Sequence, residues 1–358
     1  MNTHDLLVAW GRVLAGKLPL LSIEITRECP LHCPGCYAYG DSHLGGDLNL
    51  REVADFRGKE LVDGILAIVD RYQPMHVSLV GGEPLMRHRE LSDILPRLSS
   101  MGVWTMVVTS GVIPIPQGWC DLPNTTIAVS VDGLPAEHNV RRTPATYERI
   151  LKNIAGRKVN IHLTATQQMM ARDGYLDDYF SYWNNRPEVY QIWLSLYSPQ
   201  KGEHSPEKLL PESRERIAQS IPEWHEKYPK LLADSRFIRA YIKPPQTPAD
   251  CTFARMSVNF TADLRTRVEP CIFGGDPDCS QCGCAISAAL HGIQDLKIKG
   301  PLKVGHVVRS SMKIGALANR LRPNVGRAER WTESSARLVQ IDSGSKTAEM
   351  AKTQKRSA

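Results

Sequence analysis

Three cysteines stand close together near the start of the sequence. Cys29, Cys33 and Cys36 are spaced C-x3-C-x2-C, directly after the β-branched residues 21–26. Soft thiolates favour zinc and iron–sulfur clusters, and three of them can hold three irons of a [4Fe–4S] cube. The fourth iron is then left without a protein ligand. The alternative is a structural zinc site completed by His32, which lies between two of the thiols.

Two further polar motifs follow predicted strands. Residues 75–80 run into Gly81-Gly82-Glu83-Pro84, where two glycines permit a tight turn and close approach of a ligand to the main chain. On its own this motif is also typical of an ordinary strand-to-helix turn. The second motif is Ser130-Val131-Asp132-Gly133, which is followed by Arg141-Arg142. An arginine fork pairs well with a carboxylate, although solvated surface arginines are the alternative for either residue.

These motifs, in this order, resemble those of the radical S-adenosylmethionine (radical SAM) enzymes. The cysteine triad is followed at once by aromatic Tyr37, and G-G-E-P comes about fifty residues later. The resemblance implies that S-adenosylmethionine binds the open iron through its amino and carboxylate groups. It also implies reductive cleavage of that cofactor to a 5′-deoxyadenosyl radical, which abstracts hydrogen from the substrate.

The resemblance further implies roles for single residues. Gly81, Gly82, Glu83 and Pro84 would hold the methionine amino group, with Glu83 as an acceptor for ammonium. Ser130 and Arg142, in the stretch that includes Asp132, would approach the methionine carboxylate, and the choice between Arg141 and Arg142 is open. Tyr37 would pack by the adenine. Thr164 and Ser195, near the ends of later strands, are candidates for contacts to the cofactor ribose or the substrate, or else polar core residues.

Alternating apolar patterns predict the elements that position these residues. Six strands are predicted at residues 21–26, 75–80, 103–109, 126–131, 160–166 and 190–197. Helical spacing predicts helices at residues 1–20, 49–72, 91–99, 147–155 and 211–228. This alternation predicts an α/β fold with its chemistry at the C-terminal ends of the strands. Together with the resemblance, it implies a partial (β/α)6 TIM-type barrel over residues 21–198, after a leading helix at residues 1–20.

A second group of cysteines follows a helical and proline-rich connection at residues 199–248. It comprises Cys251, Cys271, Cys279, Cys282 and Cys284. Thiolates packed this densely repel one another unless a metal compensates their charge. Structural zinc, a second [4Fe–4S] cluster and unligated or redox thiols are the alternatives.

The position of residues 249–300 resembles the SPASM and Twitch extensions of radical SAM enzymes, which implies one auxiliary [4Fe–4S] cluster. The cysteine spacing departs from the full SPASM pattern. Residues 258–260 and 267–270 are predicted to form a β-hairpin that presents Cys271. Cys284 is assigned as the spare thiol and, if free, as a proton or hydrogen donor.

The net charge of +6 belongs to the C-terminal part of the 358-residue chain. Residues 301–358 carry twelve Lys or Arg and four Asp or Glu, a net of +8, and are predicted to be a basic, partly disordered tail with a helix at 312–321. The sequence shows no apolar run of membrane-spanning length and no signal-peptide pattern. Clustered cysteines in such a chain indicate a reducing compartment, and a cytoplasmic protein is expected.

The sequence therefore predicts an enzyme of the radical SAM class. A flavodoxin or ferredoxin is implied as electron donor, and a small molecule, lipid or isoprenoid is the leading substrate class. A peptide substrate is the first alternative, weakened by the lack of room for a leader-binding module in twenty N-terminal residues. The alternative from another class is a non-catalytic zinc or iron–sulfur protein whose basic tail binds nucleic acid.

Overall fold

The computed structural model describes residues 10–46, 48–294 and 296–321. A seven-stranded parallel sheet forms its centre, with the strands β1 (Leu20–Glu24), β2 (His76–Val80), β3 (Trp104–Thr109), β4 (Thr125–Ser130), β5 (Val159–Ala165), β6 (Val189–Leu196) and β7 (Ser257–Phe260). A small antiparallel pair, β8 (Lys297–Lys299) and β9 (Leu302–Lys303), lies apart from it. The predicted α/β fold is confirmed.

Helices connect the strands and follow the sheet. They are α1 (Gly58–Tyr72), α2 (His88–Ser100), α3 (Pro135–Arg142), α4 (Tyr147–Ile154), α5 (Tyr175–Asn184), α6 (Pro211–Lys227), α7 (Ser235–Ile242), α8 (Thr252–Met256), α9 (Ala285–Gln294) and α10 (Val304–Leu321). Short 3-10 helices lie at Tyr37–Tyr39, Leu50–Glu52, Pro84–Arg87, Trp119–Asp121, Gln167–Ala171 and Cys279–Gln281. In the described ranges, no helix is long and apolar enough to cross a membrane.

The strand order is β6-β5-β4-β3-β2-β1-β7, so each of the first six strands lies beside its neighbour in sequence. Side chains alternate between the two faces of each strand. On β5, Ile161 and Leu163 are fully buried in the core, whereas His162 and Thr164 on the other face are half-buried. All seven strands are parallel, so their C-terminal ends meet at one edge of the sheet, where the predicted site residues are.

The seventh strand differs from the expected arrangement. Residues 258–260, predicted as the first arm of a hairpin, lie in β7 and pair in parallel with β1, with Ser22 opposite Asn259. The turn back is also present, because Phe260 bridges Arg267 in antiparallel fashion and the Val268 amide donates to the Asn259 carbonyl at 3.0 Å. Part of the cysteine-rich region therefore extends the main sheet at the edge opposite β6.

One predicted helix is wrong in its first part. Residues 49–72 form a 3-10 turn at Leu50–Glu52 and then, after an extended segment, helix α1. Asn49 and Glu52 cap the turn reciprocally. Asp55 lies in the extended segment and forms a buried ion pair with Arg87, with Oδ2 and Nη2 2.7 Å apart. The backbone around this ion pair is extended where the apolar spacing predicted helical turns.

The ends of the chain are described in part. Residues 10–14 of the predicted leading helix are helical, and Trp10 Nε1 donates to Ser311 Oγ of α10 at 2.7 Å. Residues 1–9 and the tail at residues 322–358 lie outside the described residues. Helix α10 includes the predicted helix at 312–321 and begins earlier, at Val304.

Candidate active site

The N-terminal cysteine loop begins directly after β1. Cys29, Cys33 and Cys36 are half-buried free thiols, and the Cys36 amide donates to the Cys33 carbonyl at 3.3 Å. The pKa of Cys29 is raised to about 12, chiefly by burial and also by the negative charges of Glu83, Cys33 and Cys36. The three thiols therefore lie within electrostatic reach of one another, and a cation or cluster is needed to stabilise them as thiolates.

The Gly81-Gly82-Glu83-Pro84 turn lies against this loop. The Gly82 amide donates to the Thr26 carbonyl at 2.8 Å, and the Glu83 amide donates to the Glu28 carbonyl at 2.7 Å. A Cβ on Gly82 would lie 2.2 Å from the Glu28 carbonyl oxygen. The second glycine is therefore required because the two backbones touch here.

The Glu83 carboxylate is buried and fully used inside the protein. Oε1 accepts from the Leu85 amide at 2.9 Å and from Thr109 Oγ1, and Oε2 accepts from the amide and hydroxyl of Ser110. Four donors fill the lone-pair sites of a carboxylate. The structure thus gives Glu83 a role in shaping the turn, and its predicted direct contact with an ammonium group is not supported by this arrangement.

Arg87 connects the cysteine loop with the extended segment around Asp55, and the sequence analysis did not identify it. Its guanidinium is buried and donates to Glu28 Oε2 at 2.9 Å and to Asp55 Oδ2 at 2.7 Å. The bond to Arg87 is the largest influence on the Glu28 carboxyl and holds its pKa below the usual range. Glu28 precedes Cys29, so this network positions the cysteine loop. The three residues are far apart in sequence, and no local motif marked them.

Asp132 organises the arginines at the end of α3. Its Oδ2 accepts from Nε of Arg141 at 3.0 Å and from Nε of Arg142 at 2.7 Å, while Oδ1 accepts from the Thr164 amide at 3.0 Å. Burial alone would raise the Asp132 pKa, but the two arginines outweigh it and hold the pKa well below its usual range. Asp132 is therefore an ionised structural anchor.

The two arginines differ in what they face. Arg141 also pairs with the buried Glu207. Burial disfavours the charge on Arg142, yet Asp132 and the Cys33 and Cys36 thiolates raise its pKa above its usual value. Of the two arginines, Arg142 is thus the one on which the charges of the cysteine loop act, and its contact with the methionine carboxylate stays a prediction.

Sheet register brings the remaining predicted residues together. Ser130 on β4 lies opposite His162 on β5, and Thr164 lies opposite Ser195 on β6. His162 Nε2 is 2.8 Å from Ser195 Oγ. Burial lowers the His162 pKa to about 4, so this imidazole is neutral near pH 7. Sequence reasoning missed His162, although its place in the alternating strand 160–166 put it on the same face as Thr164.

Tyr37 lies between the two cysteine groups. Its ring packs edge-on against Phe273, with centroids 5.4 Å apart, and against the His43 ring at 5.7 Å. Burial raises the Tyr37 pKa well above its usual value, and nearby negative charges, in order Glu24, Cys36, Cys284 and Cys271, add to the effect. Its predicted contact with the adenine is untested and stays a prediction.

The five C-terminal cysteines line one pocket, with an empty volume of about 450 Å³ that is partly open to solvent. The rest of its wall is largely apolar and includes Pro245, Pro248, Phe253, Pro270, Phe273 and Pro277. Burial raises the pKa of Cys284 to about 12 and of Cys279 to about 11, and the Cys282 thiolate is the next cause for each. We call this the cysteine pocket.

The donor set of both cysteine groups fits iron–sulfur clusters. Within the described ranges, no three His, Cys, Asp or Glu side chains converge as they would around a single metal ion. A [4Fe–4S] cube takes one thiolate at each iron, so its ligands need not meet at one point. The zinc alternative requires His32 as the fourth ligand. This side chain is exposed, and its Nδ1 accepts a hydrogen bond from Arg51 Nη2 at 3.3 Å.

Residues 23–180 match the family model of the Radical SAM superfamily. The parallel sheet and this match define an enzyme of the radical SAM class, as predicted. Residues 23–180 therefore carry a radical SAM domain, and this class implies a [4Fe–4S] cluster and S-adenosylmethionine as cofactors.

Individual proteins agree with the assignment. PqqA peptide cyclase of Rhizobium meliloti (strain 1021) is 32% identical over 104 residues, which cover 28% of this chain and 25% of the relative. The chain spans between a quarter and a third of the length of the curated relatives it matches.

Two solved structures share the fold. Streptococcus suis SuiB bound to the precursor peptide SuiA has a TM-score of 0.53 at 14% identity, over 75% of this chain and 63% of SuiB. Native anSMEcpe with bound AdoMet and Cp18Cys peptide has a TM-score of 0.52 at 13% identity, over 85% of this chain and 100% of anSMEcpe. At this identity the likeness establishes the fold alone.

Proposed function

We propose that the protein reductively cleaves S-adenosylmethionine and uses the resulting radical to abstract hydrogen from a substrate. The observation that carries the proposal is the contact of the cysteine loop with the G-G-E-P turn inside the matched segment, where two backbone hydrogen bonds join them. When bound, the cluster and S-adenosylmethionine supply a 5′-deoxyadenosyl radical. The non-catalytic alternative does not account for the superfamily match.

The residues at the C-terminal edge of the sheet have separate tasks in this proposal. Cys29, Cys33 and Cys36 hold the cluster. The Gly81–Glu83 main chain, shaped by the Glu83 carboxylate, binds the methionine end of the cofactor. Arg142, oriented by Asp132, supplies the positive charge that a methionine carboxylate requires. Ser130, Thr164 and Ser195 lie on the strands beyond and are proposed to contact the ribose or the substrate.

For the C-terminal region we propose one auxiliary [4Fe–4S] cluster in the cysteine pocket. Five thiols on one pocket wall support it, since four are enough for a cube. The flavodoxin or ferredoxin donor and the cytoplasmic location also remain proposals. Cys284 as the spare thiol stays a prediction.

The substrate class has two candidates. A small molecule, lipid or isoprenoid remains the prediction from the sequence. A peptide is favoured by the similarity to PqqA peptide cyclase and to the two structures that contain bound peptides. The whole of anSMEcpe is covered by this chain, so a fold of similar extent binds a peptide there. That weakens the sequence-based argument against a peptide substrate, which rested on the size of residues 1–20.

Replacement of Cys33 by alanine tests the proposed cleavage. The wild-type chain, reconstituted anaerobically with iron and sulfide and reduced with dithionite, is expected to form 5′-deoxyadenosine. The Cys33→Ala variant is expected to form none, because the cluster loses a ligand. Cys120→Ala is the matched control, since Cys120 is a half-buried thiol outside both cysteine groups. Unchanged 5′-deoxyadenosine production by Cys33→Ala would refute the assignment.

Iron content tests the cysteine pocket. About eight irons per reconstituted chain are expected for two clusters, and about four for one. Replacing Cys279 and Cys282 by serine should lower the count by about four while Cys120→Ala leaves it unchanged. One zinc and about four irons in the protein as purified would instead support structural zinc in the pocket.

A further inference from the structure

His43 joins the end of β1 to the loop that follows Cys271. Its side chain is fully buried, with Nε2 2.7 Å from Glu24 Oε1 and Nδ1 3.0 Å from the Phe273 carbonyl oxygen. A carbonyl oxygen only accepts, so Nδ1 carries a proton and donates it. One imidazole therefore connects the strand that leads to Cys29 with the cysteine pocket.

The backbone around His43 reinforces this contact. The Gly275 amide donates to the His43 carbonyl at 3.0 Å. Gly274 has φ +63°, and a Cβ on it would lie 1.9 Å from the same carbonyl oxygen. Only glycine allows the loop after Cys271 to lie this close to His43.

Aromatic packing makes a second connection in the same place. Tyr37 follows Cys36 in sequence and packs its ring against both His43 and Phe273. A continuous path of contacts thus runs from Cys36 through Tyr37 and Phe273 to Cys271.

The buried Glu24 carboxyl depends on this histidine. Oε1 is hydrogen-bonded to His43, and Oε2 is buried without a hydrogen-bond partner among the described residues. Loss of the imidazole would leave both oxygens unpaired, which is costly for a buried carboxyl group. The His43 imidazole is therefore a polar link between the end of β1 and the pocket loop, and an apolar side chain could not replace its hydrogen bonds.

We propose that His43 is a positioning residue through which iron–sulfur loading of the cysteine pocket orders residues 37–44, the segment directly after the N-terminal cysteine loop. The inference rests on the proposed function in one respect, namely that the pocket takes an iron–sulfur cluster. A cluster bound in the pocket would restrict the movement of Cys271 and of residues 273–275, which follow it. Because residues 273–275 contact His43 and Tyr37, these two side chains would also be restricted. The segment at residues 37–44, which follows Cys36, loses mobility as a result.

The test measures hydrogen exchange of residues 37–44 in the full-length chain. All samples carry Cys29→Ala, Cys33→Ala and Cys36→Ala, so that the C-terminal cysteines are left to take iron and sulfide. In this background, reconstitution is expected to slow exchange of residues 37–44 about tenfold. Adding His43→Leu should abolish the iron-dependent difference while the pocket still takes its iron. A purely structural histidine would change exchange with and without iron alike and leave the difference in place.

Two further variants complete the design. Gly274→Ala perturbs the same contact from the pocket side and should also remove the iron-dependent difference, which guards against failure of His43→Leu to fold. His225→Leu is the matched control and should retain the difference, because the His225 ring also contacts a carbonyl, that of Leu231 at 3.3 Å, away from both cysteine groups.

Two results would overturn the inference. One is an iron-dependent difference that survives both His43→Leu and Gly274→Ala. The other is no difference in the background chain, whether because the pocket loads without effect or because it takes no iron. Neither result would bear on the proposed function, because cleavage of S-adenosylmethionine by the wild-type chain is measured in a separate experiment.

Discussion

At the scale of single residues, the site contains ion pairs in which each charge stabilises the other. Asp132 is buried and Arg142 is half-buried, and each is kept ionised by the other. Removing one partner of a buried pair leaves an uncompensated charge, which costs more than the pair itself contributes. Arg87 with Glu28 and Asp55 follows the same rule beside the cysteine loop.

Asp132→Asn is expected to lower the free energy of unfolding by about 3–5 kcal/mol, because Arg141 and Arg142 lose their shared carboxylate. Urea unfolding at pH 7 measures the change. Asp173→Asn is the matched control: Asp173 is almost fully exposed and its pair with Arg216 at 3.2 Å should contribute less than about 1 kcal/mol. Equal effects of the two substitutions would contradict the role given to Asp132.

The same aspartate predicts a pH dependence. Its pKa in the folded protein lies below the ordinary value of 3.8, so the unfolded chain binds the proton more readily. The stability that it contributes is therefore present above about pH 4 and is lost as the pH falls towards the folded-state pKa. In urea titrations, the difference in unfolding free energy between wild type and Asp132→Asn should shrink below about pH 4. A difference that stays constant down to pH 2 would contradict this.

At the scale of elements, two loops at the strand ends fit together by backbone contact. The turn after β2 lies on the loop after β1 through Gly82 and Glu83, and Glu83 then fixes the end of β3 through Thr109 and Ser110. Three neighbouring strands thus share one small hydrogen-bonded unit. The shape of this unit depends on Gly82, because a Cβ at that position would overlap the Glu28 carbonyl oxygen.

Gly82→Ala is expected to reduce 5′-deoxyadenosine formation by more than tenfold and stability by about 1–3 kcal/mol, because the added Cβ overlaps the Glu28 carbonyl oxygen. Anaerobic cleavage assays and urea unfolding measure the two effects. Gly11→Ala serves as control, since nothing lies within 4 Å of its Cβ position and residue 11 is helical. Normal cleavage by Gly82→Ala would show that the loop contact is dispensable.

At the scale of the whole molecule, the cysteine-rich region is part of the main sheet. Strand β7 pairs with β1, and the backbone from Gly283 to Ala285 is hydrogen-bonded to Leu196, Ser198 and Ser195 at the end of β6. The region therefore contacts the sheet at both edges. The cysteine pocket is therefore attached to the same sheet whose strand ends carry the N-terminal cysteine loop.

The sequence by itself determined the class of the protein and the order of its parts. Cys29, Cys33, Cys36 and residues 81–84 lie in contiguous motifs, so their resemblance to the radical SAM pattern could be recognised from the sequence. The six predicted strands all form, with ends within a residue or two, because period-two alternation and buried apolar runs are local properties.

Only the tertiary structure decided which distant residues meet. Arg87 with Glu28 and Asp55, His162 with Ser195, and His43 with Glu24 and Phe273 are partners separated by 19 to 230 positions in the sequence. The pairing of β7 with β1 and the Glu83 bonds to Ser110 are of the same kind. Such contacts arise from strand order and from the requirement that buried polar groups find partners, and no local pattern records where the partner is.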